Sequence, residues 1–456
     1  MLKNLFSRQE KTAPPPNILV IMADDLGYGD LGCYGASGFE TPNLDQIAAE
    51  GVRFTSYYSG GVNCTGGRAS FLTGCYPNRV GLGGKNIPPG AFTGLNPGEN
   101  IIPKVLEQAG YVSGYVGKWT LGSHEQFLPT NQGFDYFFGI PYSHSYLDQD
   151  VENAIYVTSA LPLIDGLTEL EENTDPRDLT TKFTEQAAEF VESAGDNPFF
   201  LFLSHSIPHR PLMPMENFEG SSKLGIYGDA IQELDWSIGA LMEVLRQLEK
   251  LDNTLIIFTS DNGPALQSEE TLGYVGGTAR PFRGGKGQTL EGGLRVPCVA
   301  RLPERIPAGL LHKDIVTAMD WLPTFADIAG VPFDKKAMEM IDGVDIWPLI
   351  SGAKDAPAPR QDFCYYREGR FQAYRRGEWK LLMYRPDWEI EKPENKDYML
   401  FNLDSDPQEK SNLADQHPDL IEELSKAADK ARRELGDVIH NRRGRAVRKA
   451  GEVAMP

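Results

Sequence analysis

Short, unbroken apolar runs recur along this chain, and each one ends in polar residues. Residues 17–22, 111–116, 199–203 and 254–259 are runs of this kind, rich in Ile, Leu, Val and Phe. Such runs read as strands buried on both faces, as in a parallel sheet, rather than as half-exposed antiparallel strands. Between them the apolar period lengthens. Ile231, Leu234, Ile238, Leu241 and Leu245 fall on one stripe of a predicted helix over 228–250. Other helices are predicted at 41–51, opened by Thr41 and Pro42, at 101–109, stopped by Gly110, and at 179–194. The acidic stretch 147–176 shows no periodicity and reads as loop and insertion.

The texture changes near residue 355. A Gly/Ala/Pro-rich linker over 351–360 precedes aromatic, alternating segments at 371–374, 379–383 and 398–403. These predict a small antiparallel sheet, closed by a helix over 418–435. The expected organisation is a disordered tail over 1–16, an α/β domain over 17–355, a small α+β subdomain over 360–440 and a basic tail over 441–456. Arg442, Arg443, Arg445, Arg448 and Lys449 in that tail read as solvated.

Composition adds exclusions. The 456 residues carry a net charge of −20, which argues against nonspecific nucleic-acid binding. Five cysteines, with no Cys-x-x-Cys spacing, form no disulfide framework. No run approaches the ~18 apolar residues of a membrane span. The first residues lack the apolar core of a signal peptide. The expectation for the chain as written is a cytoplasmic protein, or a periplasmic one where a leader has been removed.

Chemistry-bearing residues sit just past the strands. Asp24 and Asp25 follow the first, Lys118 the second, His205 and His209 the third, and Asp261 and Asn262 the fourth. Ligands of open α/β sheets bind at the carboxyl ends of strands, so this placement predicts a composite site. Three carboxylates and an amide are hard donors suited to Ca²⁺ or Mg²⁺. Arg68, Lys118, Lys286 and His209 lie in Gly- or Pro-punctuated loops and suit a tetrahedral oxyanion. Cys64, near a helix start with Arg68 one turn on, is biased toward reactivity.

The run Cys64-Thr65-Gly66-Gly67-Arg68, continued to Thr73-Gly74, resembles the signature of the sulfatase family. The resemblance extends in order through Gly117–Gly122, Gly139–His144 with Ser143, Pro208–Pro211, Asp261–Gly263, Gly284–Pro297 and Leu403–Leu413. It implies an alkaline-phosphatase-like fold: a central, mostly parallel sheet flanked by helices, plus a small C-terminal antiparallel sheet with a helix. It implies sulfate monoester hydrolysis through formylglycine, made from Cys64 by a formylglycine-generating enzyme, beside Ca²⁺ or Mg²⁺. The implied metal ligands are Asp24, Asp25, Asp261, Asn262 and residue 64. Arg68, Lys118 and Lys286 would offset the charge of the transferring group, His209 would protonate the leaving alcohol, and Ser143 and Thr120 would lie at the sulfate. The implied substrate is a small-molecule or saccharide sulfate ester.

The chain departs from that signature at three positions. Gly66 replaces proline, Gly67 replaces the usual serine, and Thr120 replaces the histidine expected to act as base when the sulfated intermediate collapses. Two alternatives follow: a phosphonate or phosphodiester hydrolase of the same superfamily, or a non-catalytic anion-binding protein of the same fold.

Overall fold

A computed structural model describes residues 15–147, 160–266, 276–333, 338–353, 356–384 and 398–454. Most of the tail over 1–16, and parts of the stretches 147–176 and 351–360, lie outside the described residues.

Asn17–Ala23 is the middle of the main sheet, paired in parallel with Thr254–Ser260 on one side and Phe199–Ser204 on the other. Val112–Lys118 and Tyr136–Ile140 continue the parallel run. Antiparallel Cys298–Arg301 and the short strands Val52–Phe54 and Leu310–His312 finish one edge of this ten-stranded sheet. The apolar runs are unbroken because both faces are covered. Ile18, Val20 and Met22 face one hydrophobic core, and Leu19, Ile21 and Ala23 face the other. The helices Leu179–Ser193 and Ile226–Gln247 pack over the second core.

The elements differ from the sequence reading in places. The strand predicted at 111–116 runs Val112–Lys118, so Lys118 is its last residue. The helix at 101–109 is one turn, Ile102–Leu106, followed by a 3₁₀ turn ending at left-handed Gly110. The stretch 147–176 is not all loop: Leu163–Asp165 and Thr168–Glu171 form a hairpin that extends the sheet to its other edge. An edge strand has one unpaired side, and its exposed Glu169 and half-exposed Glu171 interrupt any apolar alternation.

Four antiparallel strands, Asp362–Arg367, Arg370–Arg376, Trp379–Leu382 and Met399–Asn402, form the small sheet, covered by helix Pro418–Leu435. Its core also contains Tyr58, Val62, Tyr76 and Leu294 from the α/β portion. The basic tail is only partly solvated. Arg442, Arg443, Arg445 and Lys449 are exposed, but Arg448 pairs with buried Glu99 at 2.8 Å. Gly451–Glu452 then pairs with Thr93–Gly94. Composition reads charge, not partners, and this partner lies far away in the chain.

Candidate active site

Helix Cys64–Thr73 carries the signature, and all ten of its residues are buried. It opens on Asn63, whose side-chain oxygen accepts the Gly66 N–H at 2.8 Å. That bond satisfies one orphan donor of the first turn. Proline at 66 has no such proton, so the glycine and the asparagine cap belong together.

Cys64 Sγ lies 3.4 Å from Asp24 Oδ1 and 4.0 Å from Asp25 Oδ1. Lys286 Nζ stands 3.4 Å from the sulfur, and Lys118 Nζ 3.8 Å. Lys118 is ion-paired with Asp24, and Lys286 Nζ contacts Asp25 Oδ2 at 2.8 Å. His209 Nε2 is 3.5 Å from Asp25 Oδ2, while its Nδ1 donates to the Arg210 carbonyl at 2.6 Å. Asn262 Nδ2 donates to Asp25 Oδ1 at 2.8 Å, and the Asp25 N–H donates to Asp261 Oδ1 at 3.1 Å. The ends of four strands, the start of the signature helix and the loop carrying Lys286 thus meet within a few ångströms.

Arg68 is fully buried, with Nε 3.1 Å from Asp261 Oδ2 and Nη1 donating to the Lys118 carbonyl at 3.0 Å. Its guanidinium links the carboxylates of Asp261 and Asp24, at 3.0 and 3.6 Å from Nη2, with that carbonyl.

Electrostatics separates the groups. Burial opposes the charge of Asp24, yet Lys118, His209 and Arg68 hold its carboxyl well below the usual range. Burial, then Asp24, pushes the Asp261 carboxyl up to about 7. Burial likewise opposes the Lys286 ammonium, but Asp25 and its neighbours keep it protonated. Burial and Lys286 lower His209 to about 3. Burial, then Asp24, raises the Cys64 thiol. Burial first, and the Asp24 carboxylate after it, oppose the thiolate that a helix start and nearby cations would favour.

Thr120 holds a left-handed backbone, φ 59°, and its buried Oγ1 has no hydrogen-bond partner among the described residues. Its carbonyl accepts from Thr65 Oγ1 at 3.0 Å, tying it to the first turn of the signature helix. Ser143 is buried, but its Oγ accepts from Ser145 Oγ at 3.0 Å, and none of its described bonds reaches Cys64 or a lysine. His205 packs away from the cluster, with Nε2 3.1 Å from Ser237 Oγ. His144, the last residue of the Gly139–His144 stretch, has its ring centroid 5.7 Å from that of His209, and burial and Lys118 lower its pKa to about 4. The available signal was its position in the loop after strand Tyr136–Ile140.

Ligand atoms of Asp24, Asp25, Cys64 and His209 all lie within 4.8 Å of one another; Asp261, expected among the ligands, is outside this group, its Oδ2 paired with Arg68. The carboxylate oxygens fit a hard dication, while sulfur and imidazole are softer donors. Asn262 Oδ1 is buried without a hydrogen-bond partner among the described residues, an acceptor that a cation beside Asp25 would satisfy.

Ammoniums and carboxylates this closely packed at strand ends define a hydrolase site for an anionic ester. The family described as Sulfatase matches residues 16–331, and the one described as N-sulphoglucosamine sulphohydrolase, C-terminal, matches residues 286–434. The chain belongs to the sulfatase family, and its activity is that of a sulfuric ester hydrolase. It is 39% identical to human arylsulfatase A over 373 residues, covering 78% of this chain and 71% of that protein. It is 37% identical to N-acetylgalactosamine-6-sulfatase of Canis lupus familiaris over 390 residues, covering 80% and 71%. The solved structure of PsFucS1 sulfatase from Pseudoalteromonas sp. is similar with a TM-score of 0.81 and 29% identity, over 91% of this chain and 90% of that one. The fold is the α/β arrangement that the resemblance implied.

Proposed function

We propose that this sulfatase cleaves sulfate monoesters of a saccharide or aryl alcohol through formylglycine at position 64, with a divalent cation, Ca²⁺ or Mg²⁺, held by Asp24, Asp25, Asp261 and Asn262. The observation that carries it is Cys64 Sγ standing between Lys286 and Lys118 and against Asp24. The saccharide class draws on the canine relative, whose name specifies an amino-sugar sulfate.

A hydrated aldehyde at residue 64 supplies an oxygen nucleophile and a second hydroxyl through which sulfate is later expelled. A dication at the carboxylates supplies Lewis-acid polarisation of that nucleophile and the sulfate. The chain's own groups do the rest. Lys286 and Lys118 aim ammoniums at the space beside residue 64, where sulfate oxygens gain charge in the transition state. Arg68 acts as a positioning residue, fixing Asp261 and the Lys118 carbonyl. The Arg210 carbonyl accepts the His209 Nδ1–H, so Nε2 of the neutral ring bears the lone pair and must first take up a proton before it can hand one to the leaving oxygen. Thr120 offers a hydroxyl, not a base, at the place of the family histidine.

Peptide mass spectrometry of residues around 64, from protein made in its own host, tests the reading. Formylglycine is the expected species, with aryl sulfate turnover that exceeds phosphonate ester turnover and is lost on chelation. Unmodified cysteine throughout would leave the non-catalytic alternative standing, and preferred phosphonate turnover would leave the other.

A further inference from the structure

Five charged side chains and two tyrosines lie buried where the small sheet meets the α/β portion, away from the cluster at Cys64. Lys380 Nζ, fully buried, is 3.0 Å from Glu291 Oε1 and 2.8 Å from Glu409 Oε1. The other oxygen of Glu291 accepts from Tyr58 OH at 2.5 Å and lies 3.3 Å from Arg295 Nη1. Tyr365 OH donates to Glu291 Oε1 at 2.7 Å, and Arg375 bonds the Tyr58 hydroxyl. Glu409 Oε2 accepts the Glu291 backbone N–H at 2.8 Å, and the Glu409 carbonyl accepts from Arg283 at 3.1 Å.

Buried ion pairs are a weak source of stability, because desolvation offsets much of their attraction. Apolar residues would join the two parts as tightly. What charged, hydrogen-bonded groups supply instead is direction, since they are satisfied in one arrangement only. The part held here is specific. Residues 283–292 form a loop closed by the Gly292 N–H bonding the Arg283 carbonyl at 2.8 Å. Glu291 and Arg283 stand at its base, and Lys286 at its tip. Thr289 Oγ1, on the same loop, donates to Gln372 Oε1 of the small sheet at 2.8 Å. The tip itself touches the site: the Gly287 N–H bonds the Val62 carbonyl at 2.8 Å, and the Lys286 N–H the Pro264 carbonyl at 2.8 Å.

We infer that Lys380 of the C-terminal sheet and Glu409 of the turn after its last strand are positioning residues for Lys286, setting its ammonium beside residue 64 through Glu291 and the closed loop. The inference rests on the reading of Lys286 as an anion-holding group. It assigns the C-terminal portion a part in the reaction: the sheet holds one of the two lysines in register.

A double-mutant cycle tests it on the full-length protein. Lys380→Met and Lys286→Ala are made singly and together. Each is measured for inorganic sulfate binding by calorimetry and for aryl sulfate kcat and KM. Misplacing a reacting group by about 1 Å costs up to roughly a hundredfold in rate, so Lys380→Met is expected to lower kcat tenfold to a hundredfold. In the Lys286→Ala background the same substitution is expected to change sulfate affinity and kcat less than about twofold. Equal losses in both backgrounds would overturn the inference, because a general loss of structure does not depend on Lys286. Should Lys380→Met fail to fold, Thr289→Val serves: it keeps the side-chain shape, removes only the bond to Gln372, and is expected to show the same non-additivity. A wild-type protein that binds sulfate with the predicted coupling but turns over no sulfate ester would overturn the proposed reaction and support the positioning. Wild-type protein that binds no sulfate would overturn the positioning.

Discussion

Gly67 lies so close to the backbone carbonyl of Asp261 that a Cβ at residue 67 would fall 1.8 Å from that oxygen. The same carbonyl accepts from Ser59 Oγ at 2.5 Å. The signature helix is therefore seated directly on the Asp261-Asn262 turn, and the residue that departs from the family pattern makes the contact possible. Gly66 is a second adaptation of the same turn, since its N–H is the proton that Asn63 caps.

Restoring the family residue should then do harm. Gly67→Ser has to part the helix from Asp261, and overpacking of this kind costs about 1–3 kcal/mol. Thermal unfolding is expected to shift down by several degrees, and aryl sulfate turnover to fall as residue 64 moves from Asp24. Gly84→Ala, where an added Cβ meets nothing within 4 Å, is the control and should change neither. A Gly67→Ser protein with unaltered melting temperature and turnover would show that the helix can move away freely.

Thr120 is the second departure with a consequence. A β-branched residue at φ 59° is disfavoured, and such strain persists where surrounding structure holds it at a functional site. Histidine adopts that backbone region more readily and brings a base. Thr120→His is expected to raise aryl sulfate turnover by at least about tenfold, given the ~10²–10⁴ contributed by a placed general base. Unchanged steady-state turnover would remove the collapse step as the place where Thr120 matters.

Glu233 gives a stability prediction independent of the reaction. Burial raises its carboxyl to about 7, although the Met215 N–H bonds it at 3.0 Å. The folded state thus binds this proton more tightly than the unfolded chain. Its contribution to stability is fully present below the unfolded value of 4.5 and is lost as pH rises toward about 7. The loss is on the order of 3 kcal/mol. Glu233→Gln keeps an acceptor for Met215 and cannot ionise. Urea unfolding between pH 4.5 and 7 should show a shallower decline for the variant, and equal slopes would place the titration elsewhere.

Much of the site was legible before any fold was known. A strand buried on both faces writes itself as an unbroken apolar run, and the residue after it stands at the sheet's carboxyl edge whatever the rest of the chain does. Asp24, Asp25, Lys118, His209, Asp261 and Asn262 could be grouped on that ground alone. Cys64, Arg68 and Lys286 needed the resemblance, because glycine-rich loops carry no period.

Sequence by itself determined four of the parallel strands, the longer helices and which polar residues stand at those strand ends, because backbone period and side-chain chemistry are local. Tertiary structure alone decided that Arg68 links Asp261 with Asp24, that Gly67 is seated on Asp261, and that Arg448 returns to Glu99. It also decided that Lys380 reaches Glu291. Each of these is a contact between residues dozens to hundreds of positions apart. Such contacts depend on how packed layers meet, and no local pattern records that.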